Sequence, residues 1–564
     1  SATPLTTARV APEVRRTVWL LLGAVVLLHL LACANVTSLL MGRAVSQRRE
    51  SAVRASLGST TAALLRRYIG EGAAMIALGC AVGLLLAWWA SHLAVPINAW
   101  GPRNFYGTIA TFSEPHFGWR TIVAWIGVSV TTIALVAWAP ALAAVQGDLA
   151  AHLREGSHAA RASGLSLRRV NARGVIVALE SALATVLLVV GTLMIGSFAR
   201  MRATPLGVDP AHVLTFSLRP PEAVVPPEAA PAFIEKMLAA ITGVPGVVSA
   251  SVDGGAPLSG SASSTLRVIG RPEPGRGHAP PILRHYVGPD HFATLGVPLI
   301  RGRVFTDRDR PGQPRVAVIS ESAARKFWPE GNALGSRVWF GGGSSFSHPD
   351  SSAEVVGIVG DVKYQPLDRD PNTSSFYTPY QQFTYGWRTY FVRTTGDPSL
   401  SVSAIRDAVH AVDPNVPLTE VLTLNALIGN SWSRNRFDAF FYGAFAAFAL
   451  LLAATGIYAV VSYAVGQRGR EMAIRLAVGS SPGALLRLIV REGMGFPLVG
   501  LGIGVVGAIS LAGLLRGSLY GVAPTDPRVM GVVLALLGGV AFIACAVPAR
   551  RAMRVNPQEA LRAD

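Results

Sequence analysis

The residues in this chain that could do chemistry are few, and their spacing excludes more than it suggests. Binding a nucleotide through a P-loop needs a lysine after glycine to reach the phosphates. The lysines Lys236, Lys326 and Lys363 follow Glu235, Arg325 and Val362, so the chain carries no P-loop ATPase of its own. Gly341-Gly342-Gly343 is a lone glycine run beside serine and phenylalanine and reads as a loop. His285 and His291 with Asp290 match no zinc spacing and read as surface or structural residues. No Gly-x-Ser-x-Gly nucleophile elbow stands in a strand-turn-helix context. Nothing points to an enzyme, and neither a cofactor nor a metal is expected on this chain.

What does recur is an acid–base pair at helical spacing. Glu50 and Arg54, and again Glu471 and Arg475, stand at i and i+4 with the acid first, an arrangement that supports a helix. Gly58 and Gly479 then fit a left-handed C-cap. Ser59 or Thr60, and Ser480 or Ser481 followed by Pro482, fit the N-cap and first turn of a following helix. Each segment thus reads as a short charged helix that turns at glycine. One such segment alone would read as a solvated helical hairpin; two copies at matching places suit a pair of docking elements for one cytoplasmic partner with two equivalent grooves.

The elements that position these pairs are apolar. Of 564 residues, 51% are hydrophobic and 15% charged, with a mean hydropathy of +0.41, which sets the chain apart from ordinary soluble domains. Seven runs are long enough to span a bilayer, at about Val18–Leu40, Tyr68–Ala94, Ile122–Val145, Val175–Phe198, Phe440–Tyr463, Ala484–Leu515 and Val529–Val547. Cys33, Cys80 and Cys545 all lie inside such runs, so no disulfide framework is available to a soluble domain. His29 and Glu180 are the ionisable residues within spans and are functional candidates on that ground; two isolated groups make a poor proton relay. Gly79, Gly500, Gly502 and Gly504 suit close helix packing.

The net charge of +17 could suggest nucleic acid. The arginines instead gather at the ends of apolar runs, without the interleaved aromatics of a single-strand-binding groove, so no nucleic-acid partner is expected. Arg43, Arg48, Arg49, Arg54, Arg66 and Arg67 follow the first span. Arg154, Arg161, Arg168, Arg169 and Arg173 follow the third, and Arg468, Arg470, Arg475 and Arg487 follow the fifth. The tail adds Arg550, Arg551, Arg554 and Arg562, while the alternate connections are poor in arginine. The positive-inside rule places these rich segments and the C-terminus in the cytoplasm, and residues 200–435 outside.

The chain also repeats itself. Residues 47–59 align with 468–480, and Leu64, Leu65, Arg66, Glu71 and Gly72 fall opposite Leu485, Leu486, Arg487, Glu492 and Gly493. Pro140, Ala141, Ala144, Leu153 and Arg154 likewise match Pro548, Ala549, Ala552, Leu561 and Arg562. Both three-span blocks run in the same direction, which excludes the inverted repeats of secondary transporters. The intervening segment turns soluble. Strands are expected at His212–Leu218, Val247–Val252, Leu266–Ile269, Val316–Ile319, Glu354–Val359 and Thr389–Thr394, and helices at Glu228–Ile241, Glu321–Trp328 and Ser401–Val412. Strand–helix–strand pairings at both ends suggest a split βαβ layout with a central insertion. A further helical stretch, Leu422–Trp432, runs almost directly into the fifth span.

The two elbows resemble the cytoplasmic segment of FtsX/MacB-type ABC permeases. Ala34-Asn35-Val36 with Leu39-Leu40 resembles the first block of the duplicated "orphan" permeases of that group. Val287–Gly296, Leu299–Phe305, Val316–Glu321, Phe327-Trp328-Pro329 and Val355–Val362 resemble the MacB-type periplasmic core. The resemblance implies a multi-pass inner-membrane helical bundle plus an α+β extracytoplasmic MacB-like core domain. It also implies a separate cytoplasmic ABC ATPase dimer that binds the ATP. The coupling residues would be Arg49, Glu50, Ala52, Arg54, Gly58 and Ser59, with Arg470, Glu471, Ala473, Arg475, Gly479 and Ser480. Partners would be that ATPase, the lipid bilayer and a periplasmic protein, and an intact chain would supply both permease halves. On this reading residues 1–17 are the remnant of a first exported domain. Residues 18–155 form the first module, 156–173 a cytoplasmic linker and 174–199 the span opening the second half. Residues 200–435 form the core domain and 436–564 the second module. The first half would then lack its opening span, a truncation. The function implied is export, extraction or mechanotransmission driven by ATP; the alternative is a signalling scaffold that activates a periplasmic partner without transport.

Overall fold

A computed structural model describes residues 12–46, 59–98, 118–145, 172–218, 226, 229–272, 280–341, 352–367, 374–382, 388–468, 471–472, 474–475, 478–515, 517 and 519–552. The chain forms two compact units, a helical one and an α+β one, which divide at Arg200 and again at Arg434.

The chain opens with four long helices: α1 (Pro12–Ser46), α2 (Thr61–Asn98), α3 (Trp119–Val145) and α4 (Ala172–Ala203). They form where the apolar runs predict them, because a run of this length in lipid can satisfy its backbone only by closing a helix. α2 and α3 pack against each other, as do α1 and α3. α4 is the most enclosed, with 72% of its spanning stretch buried.

The α+β unit has two sheets. Its elements are β1 (Val213–Leu218), α5 (Ala230–Thr242), β2 (Val247–Asp253), β3 (Ala262–Val268), β4 (Pro281–Val287), α6 (His291–Leu295), β5 (Leu299–Gly302), β6 (Val316–Ser320), α7 (Glu321–Phe327), β7 (Arg337–Gly341), β8 (Ala353–Val359), β9 (Ser375–Pro379), β10 (Thr389–Thr394), α8 (Val402–Val412), β11 (Leu418–Thr423) and α9 (Leu424–Ser431). The first sheet has the order β11-β1-β10-β2, with every neighbouring pair antiparallel. β10 therefore splits β1 from β2, and β1 splits β10 from β11, which is the split βαβ layout that the helix positions suggested. Ile234, Met237 and Ile241 of α5 and Ile405 and Val409 of α8 pack on Leu214, Phe216, Val252 and Val392. Strand periodicity turns Ser251 and Asp253 to the opposite face of β2.

The second sheet, inserted between β2 and β10, runs β5-β8-β6-β9-β4-β3-β7, and β7 pairs back with β8. Six strands thereby close on themselves. β4 and β9, and β6 and β8, are parallel. Leu266, Ile282, Ile319, Trp328, Val355 and Phe376 fill one core. Part of the expected helix Leu422–Trp432 is instead the end of β11, whose register against β1 uses Leu422 and Thr423.

The remaining helices are α10 (Ser433–Gln467), α11 (Pro482–Leu515) and α12 (Pro527–Ala552). Among the described residues, six of the seven long helices are apolar and long enough to cross a membrane; in α3 the apolar stretch is the shorter Trp119–Ala134. The core of the helical unit gathers Leu31 of α1, Leu187 and Leu193 of α4, Ala449 and Ala453 of α10, Ala508 of α11 and Val533 of α12.

Candidate functional site

The second elbow is built as its sequence requires. Glu471 Oε1 lies 2.6 Å from Arg475 Nη2. Gly479 takes a φ of +101°, a region open to glycine and strained for other residues. The amide of Ser480 donates to Arg475 O at 2.9 Å, and that of Val478 to Ile474 O at 2.9 Å, so orphan carbonyls at the helix end are satisfied by a Schellman-type turn. Ser481, rather than Ser480, is the next N-cap: the amide of Ala484 donates to its Oγ at 3.3 Å, and Pro482 opens α11.

Two contacts clamp this corner to the bundle. Arg468 Nη1 lies 2.8 Å from Glu492 Oε2. Met472 is buried against Leu485, Ile489, Val461 and Val465. The other side is open: Ile474 is 48% and Val478 83% exposed, an apolar tip on an otherwise charged turn. Sequence reasoning missed the Arg468–Glu492 pair, although both residues lie inside the repeat. Arg49, Glu50, Ala52, Arg54 and Gly58 of the first elbow, with Arg470 and Ala473 of the second, lie outside the described residues; Ser59 is exposed just ahead of α2.

His29 and Glu180 face different partners. His29 Nε2 lies 2.9 Å from Thr132 Oγ1, joining α1 to α3. Glu180 is fully buried with neither carboxylate oxygen hydrogen-bonded, and a Cβ added at Gly456 of α10 would stand 2.1 Å from its Oε2. Beside it, Asn35 Nδ2 donates to Leu452 O and Thr455 Oγ1, both at 2.9 Å. α1 and α4 thus each set a buried polar side chain on the same stretch of α10.

The α+β unit holds the second polar constellation. Asp253, His285 and His291 are all fully buried, so of the two expected roles, surface or structural, the histidines take the structural one, and the carboxylate involved is Asp253 rather than Asp290. His285 Nδ1 lies 2.9 Å from Asp253 Oδ2, and His291 Nε2 lies 3.8 Å from the same oxygen and 3.2 Å from Tyr364 Oη. The Tyr364 ring lies 3.7 Å from the His285 ring, centroid to centroid, and the Tyr377 ring stacks on the same imidazole at 5.0 Å. Among the described residues no group of three or more His, Cys, Asp or Glu side chains is suited to hold a metal ion. The cluster joins the two sheets, since Asp253 ends β2, His285 sits in β4 and His291 opens α6.

Burial pushes the His291 imidazole down to about 4, against the upward pull of Asp253 and with a further downward push from His285. Burial also holds the Tyr364 and Tyr377 phenols above their ordinary range. His291 is therefore neutral in the folded domain but takes up a proton below about 6.5 when unfolded. The unfolded chain binds more protons, so stability is full above that value and is lost as pH falls towards 4. Denaturant melts of the full chain are expected to lose about 2 kcal/mol from this domain between pH 7.5 and pH 5. His291→Phe should flatten that dependence, and an equally steep slope in the variant would disprove it.

Comparison with known proteins follows the same division. The MacB-like periplasmic core domain matches residues 171–412, and the FtsX-like permease C-terminal domain matches residues 22–149 and again 443–557. The pyoverdine export ATP-binding/permease protein PvdT of Pseudomonas syringae pv. syringae is 27% identical over 299 residues, covering 50% of this chain and 43% of that protein. The uncharacterized ABC transporter permease YknZ of Bacillus subtilis is 26% identical over 274 residues, covering 46% of this chain and 65% of that one. The chain thus spans less than half the length of the pyoverdine exporter. The periplasmic region of MacB from Actinobacillus actinomycetemcomitans superposes on 40% of this chain and 95% of its own, at 14% identity and a TM-score of 0.27. The domain assignment rests on the family models.

Proposed function

The chain belongs to the MacB/FtsX-type ABC permeases, a membrane family with an extracytoplasmic domain, and on that premise we propose that it relays ATP-driven motion from a separate cytoplasmic ATPase dimer to its periplasmic domain. The ATPase binds the nucleotide. It grips the elbow at Glu471–Ser480 and the matching one at Glu50–Ser59, and the motion exports or extracts a substrate at the outer face. The observation that carries this reading is the build of the second elbow. It is fixed to the bundle through Met472 and the Arg468–Glu492 pair, yet it presents an uncovered apolar tip at Val478. A corner held on one side and open on the other can pass on a push without unfolding. The name of the pyoverdine exporter supports export over signalling.

The test is co-purification of the ATPase from native membranes. Glu471→Arg removes the pairing with Arg475 and places like charges four residues apart. Combined with Glu50→Arg, it is expected to weaken ATPase capture by at least about tenfold. Wild-type capture by the double variant would refute the coupling role. Substrate movement in reconstituted vesicles, present with ATP and lost in the variant, separates transport from signalling.

A further inference from the structure

The α+β unit buries a cation that no described residue answers. Arg388 stands immediately before β10 and is 6% exposed, yet among the described residues neither Nη1 nor Nη2 has a hydrogen-bond partner. A guanidinium keeps its charge in a protein, so it cannot escape by changing protonation as a buried carboxyl does. A buried charge left unpaired is among the costliest arrangements a folded domain can hold. Burial draws the pKa of Arg388 down, against the opposite pull of Tyr390, Tyr380 and Asp253, its electrostatic neighbours. The acids nearby are engaged elsewhere. Asp253 is taken by His285, and Glu235, which acts on Tyr380, turns outward to within 3.9 Å of Arg310. Asp307, the other acid acting on Tyr380, is exposed.

Topology brings a second positive end to the same place. Strand alternation sets Arg388 on the face of Tyr390 and Val392, the face that α5 and α8 cover. β1 and β2 both run antiparallel to β10, so the crossover helix α5 runs back against them. α5 has 13 residues, about 20 Å, which matches the six-residue β10. Its last residue, Thr242, precedes Val247, the partner of Thr394 at one end of β10. Its first turn therefore lies over the other end, where Thr389 pairs with Ser217 and Asp253 and Arg388 begins the strand. That turn carries no acidic residue, and its N-cap, Ala229, supplies no side-chain bond. Free amides at a helix start favour an anion. Tyr380 and Tyr390 belong to the same core and bring phenol hydroxyls that can donate as well.

We propose that Arg388 is the cationic floor of an anion site in the α+β unit, taking the carboxylate or phosphate group of a small molecule beneath the first turn of α5. The guanidinium fork presents parallel N–H donors that match two oxygens of such a group, and both Nη atoms are open for it. Burial sets the size of the occupant. At 6% exposure Arg388 offers a narrow opening, which suits a diffusing small oxyanion rather than an acid anchored on a folded partner.

The test is a thermal melt of the full chain in detergent, read by tryptophan fluorescence. Sodium acetate and inorganic phosphate are each compared with sodium chloride at equal ionic strength. At least one of the two oxyanions is expected to raise the transition of the α+β unit by about 3–6 °C at ten times its half-saturating concentration. Arg388→Met should melt at or above the wild type in chloride, because an unpaired buried charge is gone, and should respond to neither oxyanion. Arg388→Lys keeps the charge without the fork and should respond less than the wild type. A wild-type chain that neither oxyanion stabilises beyond chloride would overturn the inference. An equal shift in Arg388→Met would mean an adventitious ion only and would overturn it too. So would an Arg388→Met chain that melts well below the wild type in chloride, which would mean that the protein itself satisfies the guanidinium.

Discussion

Asp253→Ala is expected to destabilise the α+β domain by about 3–5 kcal/mol, the usual cost of removing one partner from a buried charged or hydrogen-bonded pair. Asp253 is fully buried at the end of β2, and its carboxylate accepts from His285 Nδ1 at 2.9 Å. His285 Nε2 has no hydrogen-bond partner, so the substitution would leave the whole ring unsatisfied. The loss falls where the two sheets join, beside the bond from the Gly288 amide to Val252 O at 3.2 Å. Asp253→Asn keeps an acceptor and should lose less. Urea unfolding of the full chain, read by tryptophan fluorescence, is the measurement. An Asp253→Ala transition coincident with that of the wild type would show that the cluster contributes nothing.

Gly500→Leu with Gly504→Leu should drive α4 out of the helical unit. Overpacking a well-filled core costs about 1–3 kcal/mol at each site, and these sites fall at the upper end. The obstacles are the carbonyls of Ala178 and Ala182, which belong to backbone and cannot swing aside. The largest enclosed surface of the unit is lost with α4, since Leu187, Leu188, Val189 and Leu193 are all buried in its core. Among the described residues the same substitutions at Gly79 and Gly83 meet open space, and they should leave the melting temperature unchanged. Thermal melts in detergent compare the two pairs directly, and equal shifts would show that α4 is not held through Gly500 and Gly504.

Sequence and structure agree where a signal is local. The long helices follow from apolar runs, and the elbow follows from Glu471, Arg475 and Gly479, because spacing within one turn fixes a helix and a left-handed residue ends it. Thr389–Thr394 is read to the residue, its alternation and β-branching being undiluted. β4, β5, β7, β9 and β11 were not legible. They are four to seven residues long, β4 opens and β9 closes on proline, and β11 merges into a helical pattern at Leu422. Periodicity cannot separate such short apolar runs from helix. The Asp253–His285 pair was missed because β2 and β4 belong to different sheets, and only the packing of the inserted sheet brings the two residues together. The available signal was Ser251 and Asp253 alternating with Val252, which puts polar groups on a strand face that a second layer must cover. Glu180 stood out in its span, but its seat against Gly456 depends on helix packing that no local pattern encodes.

The closed sheet has a mechanical corollary. β8 pairs along its first residues with β7, through Glu354 and Ala353, and along its last with β5, through Gly357, Ile358 and Val359, while β6 runs beside it throughout. A load applied to β5 is therefore borne by a strand that is stitched on both sides. A pull along β5 therefore loads its bonds to β8 together, in shear, and β8 passes it on to the closed ring through both of its other neighbours.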